Sequence, residues 1–599
     1  MLRRLEQRWA AFARRKTLAI VVVGLLPLLL RVVLLAWMPV PSPRVHDEFS
    51  HLLVADTLAH GRLVNPEHPM WMHFESMHTL VRPVYASAFP MASGFVMAWA
   101  QMLTGNPWIG VWLSVGLMCA ALCWMLQGWV SPSWALLGGV LAATRFGVFS
   151  YWMNSYYGGA VAAVGGAMVL GALGRILRSA PGTGSRRRNL AVMGIGLAIL
   201  ANSRPFEGAI FAAPLVAALV WITWRRERRL TTLVPLVLVI AATAAALGYY
   251  CARVTGNPLQ LPYSFYRSTH TLAPHFVWQS PRPEPAYLHR VLHDYYTGWE
   301  MGCYHDARAN RPPHGVADKI KSYWRFYLGP LLTIPLLAIP WMWQRPRTRW
   351  LLLLAVFFGI GLMGEVWNSP HYAAPALGLM LLLVIEGLRH LRRWAGPIAV
   401  AAVALGCILT PVVGGSNTSN DGRPRARIGK QLETAGGRHL VVVRYRLDHN
   451  VGDEWVYNSA DIDGSPIVWA REMDPTSNRN LLRYFSGRKA WLVEPDAEPP
   501  RLSEYDPSLP PDPPFRFVKL GTEGVQILRS AEEVVRRVSE RAAPDCGEHC
   551  RLSCDQWNGL FTQSTGIEGP DPARGCFPPD DRQRKVDFRH WFDWLKQQR

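Results

Sequence analysis

Half of the 599 residues are hydrophobic, 26 are tryptophan, and the formal net charge is +20. A chain this apolar is not a nucleic-acid-binding protein, despite its positive charge. Its basic residues form short blocks between apolar runs, as in the cytoplasmic loops of a polytopic membrane protein. These blocks lie at residues 3–16, 185–188, 225–229, 344–349 and 389–394.

Apolar runs predict eleven membrane spans. The first, residues 17–38, can cross roughly 30 Å of hydrocarbon and predicts an uncleaved span that runs outward from the cytoplasm. The other ten lie at 108–128, 133–151, 158–178, 189–204, 207–224, 230–251, 326–343, 349–367, 371–388 and 395–414. Residues 86–104 predict a re-entrant or surface helix, because a further crossing there would move two basic blocks outside.

After about residue 415 the chain becomes polar and proline-rich. Strand-like runs at 439–445, 465–470 and 489–493 alternate with helical segments at 478–487 and 531–543. This alternation predicts a small α/β domain outside the membrane, so we divide the chain into domains 1–414 and 415–599. The tail contains four clustered cysteines, for which an oxidising compartment favours disulfides over a metal cluster or free thiols. They are Cys546, Cys550, Cys554 and Cys576.

The first outside loop, residues 39–88, is dense in titratable groups. Its hydrophobic spacing predicts a surface helix that Gly61 ends. Asp47 and His51 are four residues apart, so on a helix they share a face and could ligate a divalent cation, or act as a base and its orienting partner. The alternative is that the acids complement the helix dipole and the histidines lie at an interface.

Residues 69–78 of the same loop contain a second candidate surface. If this segment is extended, Trp71, His73 and Glu75 lie on one side and offer an aromatic surface beside a base, as sugar sites often do. The alternative is an interfacial aromatic belt. Arg82 closes this charged segment.

The number of predicted spans that precede them places two further motifs on the outer face. Arg204 and Glu207 stand at the mouth of adjoining spans, where they form either a phosphate site or a structural ion pair. His371 and Tyr372 begin the tenth predicted span, where they either bind a lipid phosphate or belong to a helix start. Residues 252–325 form a loop long enough to cover a site. Arg31, inside the first span, is expected to snorkel outward or to face the same cavity.

Together these motifs resemble those of the polytopic C-superfamily (GT-C) glycosyltransferases, which include the protein O-mannosyltransferases and the lipid A aminoarabinose transferases. The matching segments are HDEF (46–49), RPFEG (204–208), TGNPLQLPY (255–263) and HYAAP (371–375). The resemblance covers about residues 1–414. It implies an inverting enzyme that moves a sugar from a polyprenyl-phosphate donor to an unidentified glycan, lipid or protein acceptor.

The resemblance also implies roles for individual residues. Asp47 would be the catalytic carboxylate, which deprotonates the acceptor hydroxyl or helps to bind a divalent cation, and Glu48 would assist it. Cations near the donor phosphate would stabilise the leaving group. The expected substrate-binding residues are His51, His73, Glu75, Arg82, Arg204, Glu207, His371 and Tyr372.

One departure from the family and one rival function remain open. The segment NSYYGG (154–159) lacks the second acid that some relatives carry, which leaves a metal-dependent mechanism in question. The rival is a transporter or lipid flippase, but that class should show charge within central segments or repeated halves. The charges here concentrate on one face, which favours a transferase in the bacterial inner membrane with its α/β domain in the periplasm.

Overall fold

The computed structural model of the chain describes residues 2–228, 230–410, 424–446, 449–507, 517–521, 524–528, 551–552 and 586–587. The predicted domain boundary at 414/415, the four tail cysteines and the helical segment 531–543 lie outside these residues.

The described part is mainly helical. Its α-helices are Leu2–Arg14, Lys16–Val33, His46–Ala59, Ala92–Thr104, Trp108–Gln127, Pro132–Ala142, Gly159–Ile176, Gly184–Ala201, Pro205–Glu227, Val234–Thr255, Pro262–His270, Arg290–His293, Met301–Arg308, Val316–Tyr327, Gly329–Thr333, Ile339–Trp343, Pro346–Met363, Leu377–Leu409, Pro424–Ala435 and Pro475–Tyr484. Short 3₁₀ or π turns extend several of them, including Trp71–Phe74, Asp294–Glu300 and Pro370–Ala376.

Among the described helices, seven are long and apolar enough to cross a bilayer, and a bent pair, Val316–Tyr327 with Gly329–Trp343, raises the number to eight. The protein is therefore an integral membrane protein. The other predicted spans are shorter, more polar or fused. Pro132–Ala142 has 11 residues, and Gly184–Ala201 begins with an arginine block. The last two predicted spans form one stretch, Pro370–Leu409, that is broken at Gly396.

Residues 86–104 do not form a spanning helix. The helix in this region, Ala92–Thr104, has 13 residues. It is therefore about 20 Å long, whereas the hydrocarbon core measures about 30 Å. This agrees with the prediction of a helix that does not cross the membrane.

The helix Gly159–Ile176 forms the centre of the bundle and is almost completely buried. It is rich in glycine and alanine, which lets neighbouring backbones approach closely. A Cβ on Gly196 would lie 2.8 Å from the carbonyl oxygen of Gly165, so the helix Gly184–Ala201 could not pack there with a larger residue.

Arg31 contradicts the prediction made for it, since it neither snorkels nor lines the cavity described below. Its side chain is fully buried. Its guanidinium donates to Asn154 Oδ1 at 3.2 Å and to the carbonyl oxygens of Met38 and Pro39 at 2.5 and 3.0 Å. Arg31 thus ties the end of the first span to the loop that leads to Asp47.

The loop formed by residues 39–88 contains the predicted helix, His46–Ala59, which we call the acidic helix. Gly61 follows it with φ of +69°, a conformation that suits glycine and ends the helix. The loop then forms a three-stranded antiparallel sheet in which Val84–Ser87 is central. Its register pairs Asn65 with Tyr85 and Thr79 with Ser87. The edge strands are Asn65–Pro66 and Thr79–Leu80.

The chain divides into two compact units. The first comprises residues 1–441, 450–472 and 485–489, and the second comprises 442–449, 473–484 and 490–599. Strands and helices alternate in the C-terminal part, which confirms its predicted α/β character. Lys489–Glu494 pairs antiparallel with Arg501–Glu504, in a register that places Leu492 opposite Ser503. The other strands of the described C-terminal part are His439–Val443, Ile467–Arg471, Phe517–Gly521, Gly524–Leu528, Arg551–Leu552 and Val586–Asp587.

Candidate active site

A cavity of about 830 Å³ lies within the first unit. It collects residues from the acidic helix, the RPFEG segment, the long 252–325 loop and the HYAAP segment. Six of the residues predicted from sequence line it: Asp47, His51, Arg204, Glu207, His371 and Tyr372. Three motifs that are far apart in the chain therefore meet at one site.

Asp47 lies in the first turn of the acidic helix, where the helix dipole favours a negative charge. One carboxylate oxygen, Oδ1, lies 3.4 Å from His46 Nε2 and 3.2 Å from His78 Nδ1. Burial raises the pKa of Asp47, while the neighbouring His46 and the positive charge of Arg204 act in the opposite direction. A carboxylate with a raised pKa is a better general base than a solvated aspartate.

The two histidines beside Asp47 stack on each other, with ring centroids 4.7 Å apart. Burial lowers the pKa of both imidazoles, so both are neutral near pH 7. Neutral imidazole is the form that binds metal ions. Tyr295 anchors one of them through a 3.0 Å contact between its hydroxyl and His46 Nε2.

His46, Asp47 and His78 could together hold a metal ion. One ligand atom from each lies within 4.8 Å of the others, and His78 Nδ1 and His46 Nε2 lie 3.2 and 3.4 Å from Asp47 Oδ1. Two imidazoles and one carboxylate suit a divalent cation such as zinc. Asp47 could therefore ligate a metal ion together with His46 and His78, and not with His51 as the sequence predicted.

His51 lies on the cavity wall one turn after Asp47, as the helical spacing predicts. Its ring stacks on Phe89 at 4.8 Å. Burial, with the charge of Arg204, lowers the pKa of His51 to about 3. His51 is therefore a neutral group that can exchange hydrogen bonds with a substrate.

Arg204 is one of three arginines that line the described cavity, with Arg267 and Arg282. Its guanidinium lies 3.5 Å from Glu207 Oε1 and 4.7 Å above the ring of Tyr372. Burial alone lowers the pKa of Arg204, but Glu207, Tyr372, Glu365 and Asp47 raise it above its ordinary value, so Arg204 stays charged. Arg204 and Glu207 thus form an ion pair and also line the cavity. The two interpretations of this motif, a phosphate site and a structural ion pair, are therefore compatible.

His371 is held from two sides by aromatic residues. Its Nδ1 lies 3.0 Å from the hydroxyl of Tyr151, and its ring stacks on Tyr157 at 5.1 Å. Tyr157 belongs to the NSYYGG segment and also lines the cavity. That segment therefore contributes an aromatic ring and a hydroxyl to the site, although it has no acid.

No protein-family model and no curated protein sequence matches the chain. Its structure is similar to that of ArnT from Cupriavidus metallidurans in the apo state, with 13% identity and a TM-score of 0.47 over 78% of this chain and 92% of that one. ArnT bound to undecaprenyl phosphate gives 12% identity and a TM-score of 0.46, over 79% and 92% of the two chains.

The oligosaccharyltransferase AglB from Archaeoglobus fulgidus, in complex with an inhibitory peptide and a dolichol-phosphate, gives 10% identity and a TM-score of 0.40 over 81% of this chain and 70% of that one.

Glu48 has a different place from its neighbour Asp47. It is buried, and its Oε2 accepts from the backbone N–H groups of Arg44 and Val45 at 2.7 and 3.2 Å. Its Oε1 accepts from the N–H of Tyr156 at 3.1 Å. Glu48 is not among the residues that line the described cavity, so the structure supports the capping alternative and not the predicted catalytic role.

Residues 69–78 are not the extended strand that the prediction required, because Trp71–Phe74 forms a 3₁₀ turn. His73 is buried, and its Nδ1 lies 2.8 Å from the carbonyl oxygen of Arg471. Glu75 lies 3.7 Å from both His270 Nε2 and His289 Nε2. In the described structure neither residue lines the cavity, which contradicts their predicted place in the substrate site.

Arg82 also lies away from the described cavity. Its side chain is 60% exposed, and its Nε lies 3.0 Å from Glu67 Oε1. The guanidinium covers the ring of Trp71 at 5.0 Å. These contacts are those of a surface ion pair and a cation–π pair, so the structure does not bring Arg82 together with the six predicted residues that line the cavity.

The long 252–325 loop supplies several cavity residues to which the sequence assigned no role. Tyr263, at the end of the TGNPLQLPY segment, and Glu300 belong to parts of the loop that the sequence pointed to, whereas Arg267, His275, Arg282, Tyr295 and Trp299 were not predicted individually. Glu365, just before the HYAAP segment, joins them and has His275 Nε2 3.9 Å from its Oε2. The length and the aromatic and charged composition of this loop predicted that it covers a site. They did not predict which of its side chains line the cavity.

Proposed function

We propose that the chain is a membrane glycosyltransferase that moves a sugar from a polyprenyl-phosphate donor to an acceptor on the outer face of the membrane, with inversion at the anomeric carbon. The observation that carries this proposal is the meeting of Asp47, Arg204 and His371 on one cavity. A carboxylate base and a fixed cation in the same chamber are what displacement of a phosphate leaving group needs.

The wall of the cavity also suits a lipid-linked substrate. Leu247 and Tyr250 line it, and both belong to the span Leu230–Thr255, which is the least buried of the seven candidate spans. A span with most of its surface open towards lipid gives a polyprenyl chain a sideways route to the polar chamber. The head group can then reach Arg204 while the chain stays in hydrocarbon.

In the proposed reaction Asp47 accepts the proton of the acceptor hydroxyl as the acceptor oxygen bonds to the anomeric carbon. The bond from that carbon to the phosphate oxygen breaks, and its electron pair leaves with the lipid phosphate. Arg204 and His371 stabilise the charge that develops there. General base catalysis of this kind contributes about a hundredfold or more to the rate.

A divalent cation held by His46, Asp47 and His78 would supply Lewis-acid activation of the acceptor hydroxyl. In that case the carboxylate of Asp47 positions the acceptor, and its protonation state matters for ligation as well as for base catalysis. The role of Arg204 at the leaving phosphate is the same with or without the ion.

The test is sugar transfer by the purified protein in lipid nanodiscs, with undecaprenyl phosphate carrying glucose, mannose or N-acetylglucosamine as donor. We expect release of undecaprenyl phosphate by the wild type and at least a hundredfold less by Asp47→Asn. Full turnover by Asp47→Asn would remove Asp47 from the mechanism. Transbilayer movement of the lipids without loss of the sugar would instead support a flippase.

A further inference from the structure

A strongly basic helix lies at the end of the helical bundle that is opposite to the cavity. Residues 1–16 contain six arginines and lysines but one acid, Glu6. Leu2–Arg14 forms an α-helix, which we call the N-terminal helix, and the first span begins just after it at Lys16. Because that span separates the N-terminal helix from the acidic helix, the two helices lie at opposite faces of the membrane.

Contacts with two other helices of the bundle hold the N-terminal helix in place. Trp9 Nε1 donates to the carbonyl oxygen of Ser133 at 3.1 Å. Arg392 Nη2 donates to Glu6 Oε1, also at 3.1 Å. Ala13 is fully buried and belongs to the hydrophobic core of the bundle. The helix therefore lies against the end of the bundle and does not project away from it.

The N-terminal helix also exposes apolar side chains. Leu5 is 51% exposed and Trp9 is 38% exposed, although both side chains are large and hydrophobic. They are four residues apart, so they share one face of the helix. Since the first span starts at Lys16, this face lies at the boundary of the membrane. Amphipathic helices at that boundary bury their apolar face in lipid, and tryptophan is enriched at the same depth.

Basic side chains lie beside this apolar face. Arg4 and Arg8 are exposed and four residues apart, and Arg8 is three residues from Leu5, so these side chains are neighbours on the helix surface. Among the described residues, neither arginine forms an ion pair. Glu6, the acid of this segment, is already paired with Arg392. Basic residues that lack carboxylate partners at the level of the lipid head groups attract anionic lipids.

We propose that the exposed face of the N-terminal helix binds anionic phospholipids. Their phosphate groups pair with Arg4 and Arg8, while Leu5 and the ring of Trp9 lie among the upper parts of the acyl chains. Phosphatidylcholine offers the same acyl chains but carries a cation beside its phosphate, so it pairs less well with two arginines. Each arginine near an anionic membrane surface strengthens the attraction about fivefold. The proposed transfer reaction plays no part in this inference.

The test identifies the lipid that touches the N-terminal helix at one position. p-Benzoylphenylalanine in place of Leu5 bonds covalently to neighbouring C–H groups on illumination. The protein is placed in nanodiscs that contain equal amounts of phosphatidylglycerol and phosphatidylcholine with identical acyl chains, and mass spectrometry measures how much of each lipid is cross-linked. The same probe in place of Leu117, which is 58% exposed on the span Trp108–Gln127, reports the lipid background.

Two double variants carry the probe at position 5. Arg4→Gln/Arg8→Gln removes the two charges beside the probe. Arg427→Gln/Arg483→Gln is the matched control, because it removes two exposed arginines from helices of the C-terminal part. Thermal unfolding checks that all the proteins are folded.

The expected result is a preference for the anionic lipid that depends on Arg4 and Arg8. Without further substitution, and in the control, we expect at least about fivefold more phosphatidylglycerol than phosphatidylcholine at position 5. In Arg4→Gln/Arg8→Gln this ratio should fall to about twofold or less. Position 117 should show no preference in any of the proteins.

Two outcomes at position 5 would overturn the proposal. The first is a ratio of the two lipids that Arg4→Gln/Arg8→Gln leaves unchanged, whether the ratio is high or close to one. The second is cross-linking to another copy of the chain and not to lipid, which would make this face a protein interface.

The salt concentration gives an independent check on the same samples. Salt screens the attraction between exposed charges, so the preference at position 5 should decrease as the ionic strength rises. A preference that is independent of salt would contradict pairing between Arg4, Arg8 and the lipid phosphates.

Discussion

Two histidine-rich clusters formed largely by residues 39–88 differ in what their ring nitrogens contact. The cavity cluster consists of His46, Asp47 and His78, and the closed cluster of His73, Glu75, His270 and His289. In the closed cluster, His73 Nδ1 and His289 Nε2 lie 2.8 and 2.7 Å from backbone carbonyl oxygens of Arg471 and Met72. In the cavity cluster, two imidazoles face a carboxylate at the edge of an open chamber.

This difference shows that the density of titratable residues in a sequence does not identify a site. An imidazole that binds a backbone carbonyl holds two segments together, whereas one with an unused nitrogen beside a cavity can bind a ligand. The cavity cluster should therefore control turnover and metal binding, and the closed cluster should control stability. Four predictions test that division.

The largest effect is expected for Asp47→Asn, which keeps the shape of the side chain and removes the base. Turnover of a polyprenyl-phosphate sugar should fall by about a hundredfold or more. Glu75→Gln is the matched control, because it makes the same change in the closed cluster, and it should stay within about threefold of the wild type. Equal losses in the two variants would erase the distinction between the clusters.

The next effect concerns metal binding. Zinc titration of metal-stripped protein by calorimetry should show one site. We expect His78→Asn to weaken zinc binding at that site by at least tenfold, because removing even a residue that only hydrogen-bonds to a metal ligand weakens metal binding by about that much. His289→Asn, in the closed cluster, should leave the zinc affinity unchanged. If both variants bind zinc like the wild type, the cavity cluster is not a metal site.

Glu48 allows a test of two neighbouring acids, because it follows Asp47 directly in the sequence but does not line the described cavity. Glu48→Ala removes an acceptor from three backbone N–H groups and should lower the free energy of unfolding by about 1–3 kcal/mol. The turnover per folded molecule should fall far less than in Asp47→Asn. Chemical denaturation in detergent, followed by an assay of the folded fraction, measures both quantities. A hundredfold loss of turnover in folded Glu48→Ala would restore the catalytic role.

The smallest effect is a pH dependence of stability in the closed cluster. Burial lowers the pKa of His289 to about 3, below the value of about 6.5 in an unfolded chain. The neutral form therefore contributes stability that is fully present above about pH 6.5 and is lost as the pH falls towards 3, at up to about 1.4 kcal/mol per pH unit.

His289→Asn should flatten this slope of unfolding free energy between pH 6.5 and 4.5. His305→Asn, at an exposed histidine, is the control and should keep the wild-type slope. An unchanged slope in His289→Asn would mean that this histidine does not titrate on unfolding.

The sequence predicted the helical membrane body, the acidic helix and the three motifs that meet on the cavity, because each depends on local periodicity or on which side of the membrane a loop lies. It could not separate Asp47 from Glu48, since both occupy the first turn and only the folded backbone shows that Glu48 accepts from the N–H groups of Arg44, Val45 and Tyr156. It also missed the pairing of Arg267 with Glu300, which lie 33 residues apart and meet through the packing of the long loop. The error at Trp71–Phe74 arose because alternation over a few residues fits both a strand and a turn.

The exposed span Leu230–Thr255 has a consequence for kinetics. A donor that reaches the chamber past Leu247 and Tyr250 stays in the bilayer throughout binding and release. The rate of such an enzyme follows the mole fraction of donor among the membrane lipids and not its concentration in the whole sample. Dilution of the donor with inert lipid at constant total donor would then slow transfer, whereas dilution of the same nanodiscs with buffer would leave the turnover number unchanged.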